Sequence, residues 1–271
     1  MTKKTMIVTG ASGGMGLVCA QEALALGYDL ILVDLHAQGM EQFAQENRHQ
    51  AEINCYALDV TSNQAVVEFA ENITQHGAID ALIHTVGVSP NMTSWQRIID
   101  IDLIATAKFL EAVRPRLAKH AAAVCISSSS GYMVPENEAI EAILADPMAE
   151  DLFYQLEQLP GKPLENTGLA YSYAKKALRF YVANAAKAWG SETKRLVSIS
   201  PGLINTDAGK KEFEASENFE QMIASIPLAR LGVPDEIVHT ALFLVSEKAS
   251  YISGCDILVD GGMIAGMGKA V

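Results

Sequence analysis

Short apolar runs alternate with longer stretches of helical periodicity along most of the chain. Several runs are near-continuous in Val, Ile and Leu, as strands buried on both faces of a parallel sheet are. The predicted strands are Thr5–Val8, Leu30–Val33, Ile53–Ala57, Ala81–Thr85, Ala122–Ser127, Leu196–Ser200 and Ile257–Val259. The predicted helices include Met15–Leu26, Ser62–His76, Ser94–Lys119, Ala170–Trp189 and Pro234–Ser246. This alternation predicts one α/β domain over residues 1–271, a doubly wound parallel sheet flanked by helices.

One segment, residues 132–168, departs from the alternation because it contains short helical stretches with no strand between them. Asp146-Pro147 predicts a helix start, with the aspartate as N-cap and the proline at the first helical position. An apolar stripe follows and ends at Pro160-Gly161; it consists of Met148, Leu152, Phe153, Leu156 and Leu159. We therefore predict a helical insertion whose apolar face either lines a substrate site or packs against another subunit.

Composition and charge narrow the classes of partner. The chain has 271 residues, 49% of them hydrophobic, and a formal net charge of −12. That charge disfavours nucleic acid and anionic membranes, and no apolar stretch approaches the roughly 18 residues that span a bilayer. The four cysteines form neither a CxxC pair nor a metal-binding spacing, so we expect reduced thiols, no metal site and a cytoplasmic location.

A glycine-rich segment, Thr9-Gly-Ala-Ser-Gly-Gly-Met-Gly16, follows the first predicted strand and opens the first helix. In this context Gly10 permits a tight turn, and Gly14 lets the backbone approach a pyrophosphate. Gly16 allows the helix to pack closely on the strand. The segment predicts a Rossmann-type dinucleotide site.

An acidic residue, Asp34, ends the next strand 18 residues after Gly16. A carboxylate there accepts hydrogen bonds from the adenosine ribose hydroxyls and repels a 2′-phosphate. Met15, Leu35 and His36 provide no arginine or lysine that would bind that phosphate. We therefore expect NAD rather than NADP as the cofactor.

Tyr171 and Lys175 are four residues apart in a predicted helix, which places both side chains on one face about 5–6 Å apart. A free phenol has a pKa of about 10, and a nearby ammonium favours the phenolate and lowers that pKa. On spacing alone, a tyrosine and a lysine on a solvated helix face would be the favoured interpretation. The glycine-rich segment, the serines at 127–130 and Pro201-Gly202 favour hydride-transfer chemistry instead.

Taken together, the order Thr-Gly-x-x-x-Gly-x-Gly, Ser, Tyr-x-x-x-Lys and Pro-Gly resembles the short-chain dehydrogenase/reductase family, over almost the whole chain. Within the family, the long stretch between serine and tyrosine, Ala188-Trp-Gly190 and Val86-Gly-Val-Ser-Pro90 resemble bacterial 3α-hydroxysteroid dehydrogenase/carbonyl reductase. The resemblance implies an oxidoreductase that interconverts a secondary alcohol and a ketone.

The resemblance also implies roles for individual residues. Tyr171 would exchange the proton of the substrate hydroxyl, Ser128 would bind the substrate oxygen, and Lys175 would hold the nicotinamide ribose. Asp59 would bond the adenine amino group, and Thr206 the carboxamide. The implied cofactor-binding residues are Thr9, Gly10, Ser12, Gly14, Met15, Gly16, Asp34, Leu35, Asp59, Val60, Val86, Gly87, Tyr171, Lys175, Pro201, Gly202, Ile204 and Thr206.

Two positions depart from the family pattern. The usual Asn-Asn-Ala-Gly is His84-Thr-Val-Gly87 here, and we interpret His84 as a hydrogen-bonded histidine at a strand end. Asp102 replaces an asparagine that helps to hold a water in the family's proton relay, so it joins the candidate catalytic residues. An ionised carboxylate there either strengthens the positive charge of Lys175 or traps the lysine in an ion pair, and simple isosteric tolerance is the alternative.

The substrate is predicted from two segments. Residues 206–226 resemble the family's mobile substrate lid, where Phe213, Phe219, Met222 and Ile223 would form an apolar ceiling. Together with the apolar stripe of the insertion, they indicate a bulky apolar alcohol or ketone such as a hydroxysteroid.

Two alternatives remain open at this level: an acyl-thioester reductase of the same family, and a non-catalytic dinucleotide-binding scaffold or redox sensor. Assembly is a further expectation. Because the insertion precedes the Tyr171 helix, it should alter the helix-pair interface through which many relatives form tetramers. We therefore expect a homo-oligomer, with a dimer preferred.

Overall fold

Seven parallel strands form one sheet, in the order β3-β2-β1-β4-β5-β6-β7, in the computed structural model, which describes residues 3–206 and 219–268. The strands are β1 (Thr5–Thr9), β2 (Asp29–Asp34), β3 (Ile53–Ala57), β4 (Ile79–His84), β5 (Leu117–Ile126), β6 (Arg195–Pro201) and β7 (Asp256–Val259). The predicted fold class, a single doubly wound α/β domain, is confirmed.

Helices cover both faces of the sheet. They are α1 (Gly14–Ala25), α2 (Ala37–Asn47), α3 (Asn63–Asn72), α4 (Trp95–Ile99), α5 (Thr106–Val113), α6 (Ser130–Met133), α7 (Glu138–Leu144), α8 (Leu152–Glu157), α9 (Thr167–Ser191), α10 (Phe219–Ser225), α11 (Pro234–Val245) and α12 (Met263–Gly266). One apolar cluster joins the sheet to α3, α4, α5 and α9, and a second joins its other face to α1, α2 and α11. The strands between these layers are apolar on both faces, which is why they lack period-two alternation.

The site is positioned by the carboxyl ends of the strands. Strand β1 pairs with β2 on one side and β4 on the other, so the strand order reverses beside Thr9. The loops after these strands diverge at that point and leave a crevice, which is where doubly wound sheets bind ligands.

The predicted long helix over Ser94–Lys119 is interrupted. A π-helical turn, Asp100–Ala105, separates α4 from α5, and a 3₁₀ turn follows before β5 begins at Leu117. The last residues of the predicted helix therefore belong to a strand. A π-helical turn carries one extra residue and often lies at a functional site.

The insertion is helical, but the helix start that we predicted at Asp146-Pro147 is wrong. The N–H groups of Met148 and Ala149 donate to Oδ1 and the carbonyl oxygen of Asp146 at 3.2 Å each. These bonds close a single turn that is not continued, and α8 begins only at Leu152. Asp146 thus accepts the hydrogen bonds typical of a helix N-cap, but no helix follows it directly.

The apolar stripe of the insertion packs within the chain except at Met148, which is 45% exposed. Leu152 and Leu156 belong to the cluster that includes α4 and α9, and Phe153 contacts Trp95 with ring centroids 6.2 Å apart. Lys176 on α9 pairs with Glu141 on α7 at 2.7 Å. The stripe therefore anchors the insertion to its own domain, a third outcome beside the two that we predicted.

The predicted lid falls partly outside the described residues. Phe213 is among the residues that lie outside, whereas Met222 and Ile223 are half-buried on α10. In the described part of the chain, no helix has the length and apolarity needed to cross a membrane.

Candidate active site

The glycine-rich segment forms the turn between β1 and α1. Gly10 and Gly14 have φ angles of +69° and +52°, which favour glycine. A Cβ on Gly16 would collide with the carbonyl oxygen of Gly10, so α1 can start this close to β1 only with glycine. The turn is thus the narrow cradle for a phosphate group that the sequence predicts.

Asp34 is fixed beside this turn by backbone donors. Its Oδ2 accepts from the N–H of Ser12 at 3.0 Å, and its Oδ1 accepts from the N–H of His36 at 3.2 Å. The Ser12 hydroxyl donates to the His36 carbonyl at 2.8 Å and ties the two loops together. The half-buried carboxylate is therefore oriented in advance, with free lone pairs facing the cleft.

A cleft of about 610 Å³ runs across the sheet edge from Asp34 to the loop after β4. A recess of about 220 Å³ shares Met15, Gly87 and Thr206 with it and leads to the serine–tyrosine–lysine group. The structure places these predicted residues along the cleft and recess: Gly10, Gly14, Met15, Asp34, Leu35, Asp59, Val60, Val86, Gly87, Ser128, Tyr171, Lys175, Pro201, Gly202, Ile204 and Thr206. Thr9, Gly16 and Asp102 are buried beneath the wall, and Ser12 supports Asp34.

The serines at the end of β5 point in different directions. Ser127 is buried, and its hydroxyl donates to the Lys175 carbonyl at 2.8 Å. Ser128 lines the recess, and its Oγ accepts from the N–H and the hydroxyl of Ser130 at 3.2 and 3.0 Å. Ser127 therefore supports α9, while the Ser128 hydroxyl keeps its proton available for a group in the recess.

Tyr171 and Lys175 lie on the recess side of α9, which Asn166 caps by accepting from the N–H of Leu169 at 3.0 Å. The Lys175 Nζ atom is 5.6 Å from the centroid of the Tyr171 ring. The same Nζ donates to the Ile126 carbonyl at 3.1 Å. The lysine thus bridges the end of β5 and the phenol.

Asp102 faces the same ammonium from the π-helical turn. Its Oδ1 lies 3.3 Å from Lys175 Nζ and accepts from the N–H of Val88 at 3.0 Å. The side chains of Asp102 and Lys175 are 0% and 4% exposed. Oδ2 of Asp102 is buried and has no hydrogen-bond partner among the described residues. A Cβ on Gly87 would lie 2.8 Å from Oδ1, so a larger residue at this position would have to displace the Asp102 side chain.

Burial and charge act in opposite directions on this ion pair. Burial disfavours the Lys175 ammonium, but Asp102 and Tyr171 outweigh it, so the pKa of Lys175 is raised. Burial also raises the pKa of Asp102, and Lys175 and the Val88 N–H offset only part of that rise. The lysine therefore stays charged beside Tyr171, and the carboxylate that holds the charge is itself poorly solvated.

The interpretation of His84 as a buried, hydrogen-bonded residue is confirmed. Its Nδ1 lies 2.9 Å from Oγ1 of Thr9, and its Nε2 lies 3.2 Å from Oγ1 of Thr106. Burial, assisted by the charge of Lys175, lowers the pKa of His84 to about 3. His84 is therefore neutral at physiological pH and does not line the cleft.

Comparison with known proteins identifies the family of this chain. Residues 4–140 match the family described as short chain dehydrogenase, and residues 161–264 match the one described as Enoyl-(Acyl carrier protein) reductase. The chain belongs to the short-chain dehydrogenase family. It is accordingly an oxidoreductase whose cofactor is a nicotinamide dinucleotide.

Relatives of this short-chain dehydrogenase differ in cofactor and substrate. A short-chain dehydrogenase/reductase of Alternaria brassicicola is 27% identical over 270 residues, covering 98% of this chain and 97% of that protein. An NADP-dependent mannitol dehydrogenase of Hypocrea jecorina is 28% identical, covering 96% of this chain and 91% of that protein. A solved 7α-hydroxysteroid dehydrogenase complexed with NADH and 7-oxo glycochenodeoxycholic acid has a TM-score of 0.75 and 25% identity, covering 96% of this chain and 93% of that one.

The structure adds Arg97 and Thr106 to the residues at the site of this short-chain dehydrogenase. Arg97 lines the cleft near Asp59, where its Nη1 contacts Asp100 at 3.1 Å and Thr61 at 3.4 Å. Thr106 contacts His84 beneath the cleft. No local motif marks either residue; the only signal for Arg97 is its place in the first turn of a helix capped by Ser94.

Proposed function

We propose that the protein uses NAD to interconvert a secondary alcohol and a ketone, on a bulky and mainly apolar substrate such as a hydroxysteroid. The observation that carries the proposal is the arrangement of Ser128, Tyr171 and Lys175 around one recess that opens into the dinucleotide cleft. Simple dinucleotide binding does not require a serine, a tyrosine and a buried lysine in that arrangement.

The residues divide the proton chemistry between them. The Ser128 hydroxyl donates to the substrate oxygen and orients it, and the Tyr171 phenol gives or takes the proton of that oxygen. The charged Lys175 ammonium, 5.6 Å from the Tyr171 ring centroid, favours the phenolate and makes the phenol a usable base near neutral pH. When bound, the nicotinamide supplies or accepts the hydride at the carbinol carbon.

The fit to NAD rests on Asp34 and the glycine-rich turn. The turn lets a pyrophosphate approach its backbone because Gly10 and Gly14 carry no side chains. The Asp34 carboxylate faces the cleft and would repel a 2′-phosphate, which supports NAD over NADP. NADH in the related 7α-hydroxysteroid dehydrogenase is consistent with this preference.

The proposed substrate class is supported by the described end of the lid and by a related solved structure. Met222 and Ile223 are half-buried on α10, at the described end of the predicted lid. The 7α-hydroxysteroid dehydrogenase provides a related structure that holds a 7-oxo bile-acid derivative. The match of residues 161–264 to a family described by an acyl-carrier-protein reductase supports a 3-oxoacyl thioester reductase of the same family as a second candidate. Asp34 opposes it, because such reductases usually prefer NADP.

The test is cofactor reduction with a panel of hydroxysteroids and simpler secondary alcohols, using NAD⁺ and NADP⁺ in parallel. Turnover should occur with NAD⁺, and Tyr171→Phe should lower kcat by about 10²- to 10⁴-fold, the range for a lost general acid or base. Tyr173→Phe, a phenol on the same helix whose hydroxyl donates to the Pro135 carbonyl, is the matched control and should stay active. Stoichiometric NADH binding without turnover on any substrate would instead favour a scaffold or sensor.

We further propose a homo-oligomer, with a dimer preferred over a tetramer. The insertion covers part of the α4 and α9 surface through Leu152, Leu156 and Phe153, which leaves less of that helix pair for a second subunit. Light scattering should return the mass of a dimer, about twice 29.1 kDa. A clean tetramer mass would overturn the preference.

A further inference from the structure

Three buried polar side chains connect the glycine-rich turn to the π-helical turn. Thr9 ends β1, His84 ends β4, and Thr106 follows the π-helical turn that carries Asp102. None is more than 1% exposed, and the His84 ring also stacks on Phe109 with centroids 5.1 Å apart. The catalytic proposal above uses none of the three, although they lie directly beneath the cleft.

The hydrogen bonds of this group run in one direction. The N–H of Thr85 donates to Oγ1 of Thr9 at 3.2 Å, and the Thr106 hydroxyl donates to the Ile101 carbonyl at 3.1 Å. If His84 carries its proton on Nε2, the Thr9 hydroxyl donates to Nδ1 and Nε2–H donates to Thr106. Every proton then has an acceptor. The other tautomer leaves the Thr9 hydroxyl proton without an acceptor among the contacts of the described residues.

The chain of hydrogen bonds ends at the carbonyl of Ile101, the residue before Asp102. The Ile101 carbonyl belongs to the π-helical turn, and that turn sets where Oδ1 of Asp102 meets Lys175 Nζ at 3.3 Å. Thr9, at the other end, is the first residue of the glycine-rich turn. A neutral imidazole, with one donor and one acceptor nitrogen, has the length and polarity needed to join the Thr9 hydroxyl to the Thr106 hydroxyl.

We propose that His84 is a positioning residue that holds the π-helical turn, and with it Asp102 and Lys175, in register with the dinucleotide turn. The consequence for turnover rests on the proposed function above, but the hydrogen-bond chain itself does not. The ring acts only through its neighbours, because it neither lines the cleft nor changes charge near neutral pH.

The first arm of the test is nuclear magnetic resonance of the ¹⁵N-labelled histidine rings, with His84→Asn to assign the signal. The His84 ring should be the neutral Nε2–H tautomer and should not titrate between about pH 5 and 8, the range in which ordinary histidines change charge. A titrating ring, or the Nδ1–H tautomer, would overturn the proposal. This arm needs neither substrate nor turnover.

The second arm compares Thr106→Val with Thr106→Ser. The valine has the shape of threonine without the hydroxyl, whereas the serine keeps it. Thr106→Val should lower kcat on the order of tenfold while the NADH dissociation constant stays within about twofold, since the contacts at Asp34 are untouched. Thr106→Ser should restore kcat to near the wild-type value. Thermal unfolding of both variants shows whether each is folded.

Failure of the proposed function and failure of the proposed hydrogen-bond chain give different results. A wild-type protein that binds NADH but turns over no substrate contradicts the proposed function, and the nuclear magnetic resonance arm still decides the hydrogen-bond chain. Equal kcat values in the valine and serine variants, or equal losses of kcat and NADH affinity, would mean that the chain is merely structural.

Discussion

Asp34 and Asp102 are both aspartates of the cleft region, yet the protein surrounds them differently. Asp34 is half-buried, and backbone N–H groups satisfy each of its oxygens. Asp102 is fully buried; one oxygen is shared between Lys175 and the Val88 N–H, and the other has no partner among the described residues. The first carboxylate needs no cation, whereas the second depends on one.

The difference indicates separate roles. A carboxylate held by backbone donors at the cleft edge can select a ligand without disturbing the fold. A buried carboxylate whose pKa is raised by burial is stable only with its cation, and in return it keeps that cation charged. We therefore assign cofactor selection to Asp34 and the restraint of Lys175 in a buried ion pair to Asp102.

Removing the cation should have the largest effect on stability. Lys175→Met leaves the Asp102 carboxylate buried without a counter-charge, and we expect a loss of about 3–5 kcal/mol in the free energy of unfolding. Burial raises the pKa of Asp102, and the variant also lacks the Lys175 charge that offsets part of that rise. The loss of stability should therefore be greatest at alkaline pH and should shrink as pH falls through the Asp102 pKa of the variant, where protonation removes the charge. Urea unfolding at several pH values measures it.

Two controls accompany this measurement. Lys176→Met breaks the half-exposed pair with Glu141 and should cost only about 0–1 kcal/mol. Lys175→Met combined with Asp102→Asn should recover much of the lost stability, because no buried charge remains. If Lys175→Met proves as mild as Lys176→Met, the two carboxylates do not differ as described.

Asp34→Asn should have the next largest effect, on cofactor choice. The amide keeps the shape and one acceptor but removes the charge that opposes a 2′-phosphate. We expect the ratio of kcat/KM for NAD⁺ over NADP⁺ to fall by about 10- to 100-fold, as expected for one like-charge contact near a protein surface. Asp59→Asn is the matched control and should weaken both cofactors equally. An unchanged ratio in Asp34→Asn would remove the basis for expecting NAD.

Asp102→Asn should have the smallest effect. The amide oxygen still accepts from the Val88 N–H, but the ion pair that restrains Lys175 is gone. We expect turnover to be kept or raised a few-fold, measured as kcat with NAD⁺ at several pH values. A loss of about a hundredfold or more would show instead that the carboxylate is needed.

Much of the fold was predictable because the relevant patterns are local. Apolar runs located the strands, and Gly10, Gly14 and Asp34 sit in one strand–turn–helix–strand unit whose geometry follows from its residue types. Tyr171 and Lys175 were predictable for the same reason, since helical spacing places them together. Asp146-Pro147 shows the limit, because a cap residue signals a turn without fixing how far the helix continues.

The remaining features depend on contacts between distant residues. The Asp102–Lys175 contact was expected only through the family resemblance, and no local signal in Asp100–Ala105 distinguishes the π-helical turn that carries Asp102 from an ordinary helix. The link from Thr9 through His84 to Thr106 likewise joins three separate elements. The apolar stripe of the insertion was recognisable, but only the fold shows that Trp95 and α9 cover it.

The separation of roles is tested most directly by one set of assays: kcat and the NAD⁺/NADP⁺ preference ratio for the wild type, Asp34→Asn and Asp102→Asn under identical conditions. We predict that Asp34→Asn changes the ratio and leaves kcat with its better cofactor nearly unchanged. We predict that Asp102→Asn leaves the ratio unchanged and keeps or raises kcat. If either variant changes both quantities together, or if Asp102→Asn changes the ratio, the two carboxylates do not have the separate roles assigned to them.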